Sequence, residues 1–109
     1  MTLTITEISG RRYRIIAVSN IYTPGGVQAL NMRLLRGAAV LKQNNFTESV
    51  TNSGNSLGIV TMNYVYTSVA SGSATYKMQM QAGANNTSCA DYGDATQPRQ
   101  FYIEDIGLS

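Results

Sequence analysis

LGIVTMNYVYTSVASGSATYKMQMQA, residues 57–82, decides the fold. It reads as two long β-strands joined at Ser71-Gly72. In the first arm Val60, Met62, Tyr64 and Tyr66 alternate with Ile59, Thr61, Asn63 and Val65. In the second, Tyr76, Met78, Met80 and Ala82 alternate with Thr75, Lys77, Gln79 and Gln81. Successive side chains leave a strand on opposite sides, so this period of two predicts one buried and one wet face. The first arm is apolar or β-branched on both faces, which predicts a covered, central strand.

Working outward, residues 1–8 alternate Leu3 and Ile5 with threonines, as an edge strand would, and Ser9-Gly10 ends it. Arg11 to Thr23 places Tyr13, Ile15 and Ala17 on one face and Arg14, Ile16 and Val18 on the other. Pro24-Gly25-Gly26 is a strong turn signal. Val27 to Gln43 fits two patterns. Val27, Leu30, Leu34, Leu35, Ala38 and Leu41 have helical spacing, while Leu30, Met32 and Leu34 also suit a strand turning at Arg36-Gly37 and returning over Ala39 to Lys42. The hairpin is preferred, because Gly37 interrupts the helix and no N-cap precedes Val27.

Residues 43–56 are expected to be a polar loop anchored by Phe46 and Val50. After the central pair come a short strand over Thr87 to Tyr92, a second polar loop over 93–98, and a closing strand from Gln100 to Ile106. In that last strand Phe101 and Ile103 alternate with Tyr102 and Glu104. The sum is a single all-β domain over residues 1–109. About eight short strands with regular turns predict an antiparallel β-sandwich of jelly-roll-like order.

Composition narrows the function. Charged residues are 13% of the 109, about half the share in ordinary soluble domains, and Asn, Ser, Thr and Gln fill the gap. The net charge of +2 is too small to argue for nucleic acid. No apolar run reaches the ~18 residues of a membrane span, and the N-terminus lacks the apolar region of a signal peptide. The expected site of synthesis is therefore the cytoplasm. With no histidine, the commonest general base and zinc ligand is missing. Cys89 is a lone cysteine without a histidine to activate it, and is read as a small packed residue. No enzymatic chemistry, metal or cofactor is expected. Asp91 and Asp94 match no calcium loop, and Glu104 and Asp105, adjacent on a strand, point to opposite faces rather than forming a catalytic pair. The sequons at Asn45, Asn85 and Asn86 are expected by chance in so Asn- and Thr-rich a chain.

Charge is unevenly distributed. Residues 1–42 carry Arg11, Arg12, Arg14, Arg33, Arg36 and Lys42 against Glu7, whereas residues 43–109 carry Lys77 and Arg99 against Glu48, Asp91, Asp94, Glu104 and Asp105. Either the two sets intermix as strands pair, or they complement one another between subunits. The second reading makes Arg33, Arg36, Glu104 and Asp105, with the aromatic Tyr64, Tyr66 and Tyr102, a candidate interface of a head-to-tail homotrimer. Tyr22 and Tyr92 flank turns and are candidate surface-binding residues, for a subunit or a sugar ring.

Three stretches and the chain's end, in this order, carry a resemblance: Gly10-Arg11-Arg12-Tyr13-Arg14-Ile15, Leu30-Asn31-Met32-Arg33-Leu34-Leu35-Arg36-Gly37, Ala70-Ser71-Gly72-Ser73-Ala74-Thr75-Tyr76-Lys77, and the closing Phe101-Tyr102-Ile103-Glu104-Asp105-Ile106-Gly107. Together they resemble the small β-sandwich domains of tailed-bacteriophage virions, found in head decorations, fibres and minor tail proteins. Those domains are similar to the jelly rolls of the tumour-necrosis-factor and C1q type. The resemblance implies strands over Val27 to Lys42, a homotrimer, and a non-enzymatic structural role on the virion. It implies partners such as a major capsid or tail protein and, for a receptor-binding tip, a host cell-surface glycan. Met1 lies almost in the first strand, which within the resemblance favours a head decoration over a tail tip. A carbohydrate-binding module is the alternative from another class; the absence of tryptophan counts against it.

Overall fold

The computed structural model of the chain describes residues 1–23, 27–49, 56–82, 90–91 and 100–108. They form eight strands: β1 (Thr2–Glu7), β2 (Arg11–Thr23), β3 (Val27–Arg36), β4 (Ala39–Ser49), β5 (Ser56–Thr67), β6 (Gly72–Ala82), β7 (Ala90–Asp91) and β8 (Gln100–Leu108). Among the described residues there is no helix. The strands make two antiparallel sheets. The first runs β1-β6-β3-β4; in the second β2 lies between β5 on one side and β7 and β8 on the other. The pairs β1–β6, β2–β5 and β3–β4 are nested, as in a long hairpin rolled over itself, which is the order expected of a jelly-roll-like sandwich.

The ambiguous stretch is a hairpin. Met32 and Leu34 are buried while Asn31 and Arg33 are half-exposed, a strand's period rather than a helix's. The turn needs a left-handed residue, and Gly37 supplies it at φ +57°. The return strand is longer than the sequence suggests, because β4 continues to Ser49 through part of the expected loop. Its Asn44 and Asn45 are poor strand formers on their own, but β3 offers them a ladder. Of the expected strand at 87–92, Ala90–Asp91 is described; the side chains of Phe46, Val50 and Cys89 lie outside the described residues.

Two expectations about the central stretch are corrected. β5 and β6 do not pair with each other. β5 pairs with β2 along its whole length, and β6 lies between β1 and β3 in the other sheet. The chain crosses between the sheets at residues 68–71. Backbone bonds fix that crossing, with Gly10 N donating to Ser68 O (2.8 Å) and Ser68 N donating to Arg11 O (2.9 Å). Nor is β5 central: among the described residues it is an edge strand whose Thr61, Asn63 and Val65 are exposed.

The core lies between the sheets. Ile15, Ala17 and Met62 from one sheet meet Met32, Leu34, Ala74, Tyr76 and Met78 from the other, with Tyr64, Tyr66, Phe101 and Ile103 packed partly buried around them. Each fully buried Ile, Leu or Met contributes about 1.5–3 kcal/mol. The molecule measures 50 × 30 × 19 Å, thin because two sheets stack about 10 Å apart and long because its strands are.

Candidate functional site

The turns β1–β2, β3–β4 and β5–β6 and the end of β8 share one end of the sandwich, since every strand of the two nested ladders starts or stops there. Glu7 closes β1 in phase with Leu3 and Ile5, so its carboxylate points inward. It is completely buried. Arg36, at the end of β3, grips it with two bonds, Nε to Oε1 at 3.0 Å and Nη2 to Oε2 at 2.6 Å. The Ser68 hydroxyl reaches Oε2 at 2.9 Å, and the Tyr76 hydroxyl donates to Oε1. Ser68 Oγ also lies 2.7 Å from the Ala70 carbonyl oxygen, which ties the crossing segment to the cluster. The guanidinium stacks over the Tyr66 ring, 4.9 Å from its centre.

These contacts set the protonation states. Burial alone would raise the Glu7 pKa, but Arg36, Tyr76 and Ser68 outweigh it and hold the carboxyl below the usual range. Bonding to Glu7 raises Arg36 further above its ordinary value. Burial first, then Glu7, pushes the Tyr76 phenol up. Glu7 is thus ionised, enclosed and satisfied on both oxygens. It joins β1, β3 and β6 of one sheet to the end of β5 of the other. A carboxylate so enclosed cannot reach a substrate, and the arrangement acts as a clamp between the sheets.

The predicted interface residues are dispersed. Arg36 and Tyr66 meet in the clamp. Tyr64 packs inside the sandwich, half-buried. Arg33 Nη2 donates to Gln79 Oε1 at 3.2 Å on the outer face of the first sheet. On the second sheet Arg14 pairs with Glu104 (3.3 Å) and Arg11 with Asp105 (2.6 Å), both exposed cross-strand pairs. Arg11 first, then the Gly107 N–H, lowers the Asp105 pKa. Basic residues of the first half and acids of the second therefore meet within one chain. Tyr102 is exposed on β8, opposite Ile16. The backbone of Tyr22 lies in β2 opposite Leu57 and Ala90; its side chain, Tyr92, Asp94 and the side chain of Asp91 fall outside the described residues. Among the described residues no group of three carboxylates, cysteines or histidines is placed to hold a metal.

Sequence reasoning missed Glu7 and Ser68. The signal for Glu7 was a charged residue on the inward phase of β1; its partners, 29 to 69 positions away, carried none. No protein-family model matches the chain, and no curated protein matches it as a relative.

Proposed function

We propose that this chain is a non-enzymatic structural protein of a bacteriophage virion, a decoration or fibre-like knob that docks on the particle and is made in the host cytoplasm. The observation that carries the reading is the enclosed Glu7. The only charged side chain buried among the described residues is committed to joining the sheets, which supports a structural role. The sandwich fold and the order of the short motifs support the same reading. Ile8, Val69 and Leu108, all exposed at the turn end, give the particle-facing surface apolar area. Self-association is part of the proposal. In a homotrimer ring Arg36, Glu104 and Asp105 keep their partners within one chain, and the exposed Tyr102 is the candidate interface residue open to a second copy.

Immunogold labelling of purified particles with an antibody to the chain tests the reading. Gold at the head or at the tail tip is the expected result, and its position separates decoration from receptor-binding tip. Unlabelled particles, with the chain in the soluble fraction and bound on a glycan array, would favour the carbohydrate-binding module.

A further inference from the structure

The four sheet edges are not alike. β4 carries a bulge, since Leu34 pairs with Lys42 and Leu35 with Val40, leaving Leu41 over. β8 carries another, since Arg12 pairs with Gly107 and Tyr13 with Asp105, leaving Ile106 over; Glu104 and Asp105 add charge. On β5 the Lys42 ammonium donates to the Asn63 carbonyl at 3.1 Å. Bulges and charges are the devices by which proteins keep other strands off an edge. β1 has none of them. Its register to β6 is unbroken from Thr2↔Lys77 to Glu7↔Gly72, it contains no proline, and its one charge, Glu7, is turned inward.

The alternation of hydrogen bonds shows which groups this edge presents. Met1 and Met78 exchange both backbone bonds, at 3.2 and 2.8 Å. In an antiparallel ladder every second residue then bonds to β6, namely Leu3, Ile5 and Glu7, and the residues between aim N–H and C=O at the open side. Those are Thr2, Thr4 and Thr6. Their side chains are exposed, and Leu3 and Ile5 are half-buried at the rim of the core. Among the described residues no strand pairs with this side of β1.

We infer that β1 is a docking edge for the β1 of a second copy, paired antiparallel about Thr4. The occupant follows from the strand's own symmetry. Reversed about Thr4, the segment Thr2-Leu3-Thr4-Ile5-Thr6 matches itself in chemistry, threonine over threonine and Leu3 over Ile5. The outward backbone groups of Thr2, Thr4 and Thr6 then meet those of Thr6, Thr4 and Thr2, forming about six hydrogen bonds. Leu3 and Ile5 pair across the seam, which extends the core from one copy into the next. The contact is isologous and closes at two copies, joining two four-stranded sheets into one. It stands apart from the virion reading, since pairing in solution needs no particle.

Sedimentation equilibrium of the full chain over a concentration series tests it, with three variants. Thr4→Pro removes a backbone N–H that the single chain leaves unbonded and that the pair needs. Thr4→Lys keeps that N–H but sets two like charges face to face at the twofold axis. Gln79→Lys puts the same charge on the exposed face of neighbouring β6, away from the seam. The expected result is a dimer for wild type and Gln79→Lys, with association weakened at least about tenfold in Thr4→Lys and in Thr4→Pro. Thr4→Lys, a change to an exposed side chain, keeps the test valid if proline disturbs the fold. A wild type that remains monomeric at its solubility limit overturns the inference. So does an assembly of any size that Thr4→Lys leaves intact.

Discussion

At Glu7 a single side chain gathers hydrogen bonds from β3, β6 and the crossing at residues 68–71, and so contributes to holding the two sheets together. Exchanging the whole Glu7–Arg36–Tyr76–Ser68 cluster for apolar residues of like volume would be near neutral, because desolvating a buried pair costs about what its attraction returns. Removing one member differs, since it strands the rest. Glu7→Gln is expected to lower the unfolding free energy by about 3 kcal/mol, read from urea unfolding at neutral pH. The pH dependence follows from the sign of the shift. Glu7 is held below its unfolded-state pKa, so its contribution is complete above roughly pH 4.3 and is lost as pH falls through the lower, folded value. Asp105 is shifted the same way, by Arg11 first and then by the Gly107 N–H. The difference between wild type and Glu7→Gln isolates Glu7. It should be constant from about pH 7 to 5 and shrink below about pH 4.3. A difference unchanged down to the acid transition would mean that Glu7 is not held ionised in the folded chain.

Strand by strand, the alternation is what the sequence made legible. In β6 the buried Tyr76 and Met78 and the exposed Lys77 and Gln79 fall as the pattern requires. Met78→Asp should therefore prevent folding, as a charge enters the space between sheets, while Gln79→Asp should shift the thermal midpoint by no more than a few degrees. If both variants fold alike by near-ultraviolet circular dichroism, the register of β6 is wrong. β2 and β8 were equally readable, Ile15 and Ala17 inward, Glu104 outward. Partnership was not readable. Period two says which face is buried, not which strand lies alongside, and the four residues at 68–71 suit a crossing as well as a hairpin. The central position expected for β5 failed for a related reason. β-branched Thr61 and Val65 on its outer face reflect strand propensity, which an exposed edge tolerates.

Over the whole molecule, the clamp and the edges divide the labour. The turn end is closed by the buried cluster and presents Ile8, Val69 and Leu108 outward, whereas β1 runs along one side as the unguarded edge. None of this resides in a local motif. The clamp draws on β1, β3, β6 and the end of β5, and the contrast among edges needs the strand order of both sheets. That a chain organised in this way serves as a virion subunit is the proposal at the centre of the account. Quantitative mass spectrometry of purified virions, counting copies of the chain against the major capsid protein, tests it most directly. The account predicts a fixed, stoichiometric number of copies that survives stringent purification. A chain absent from the particles, or present in amounts that fall with each washing step, would contradict it.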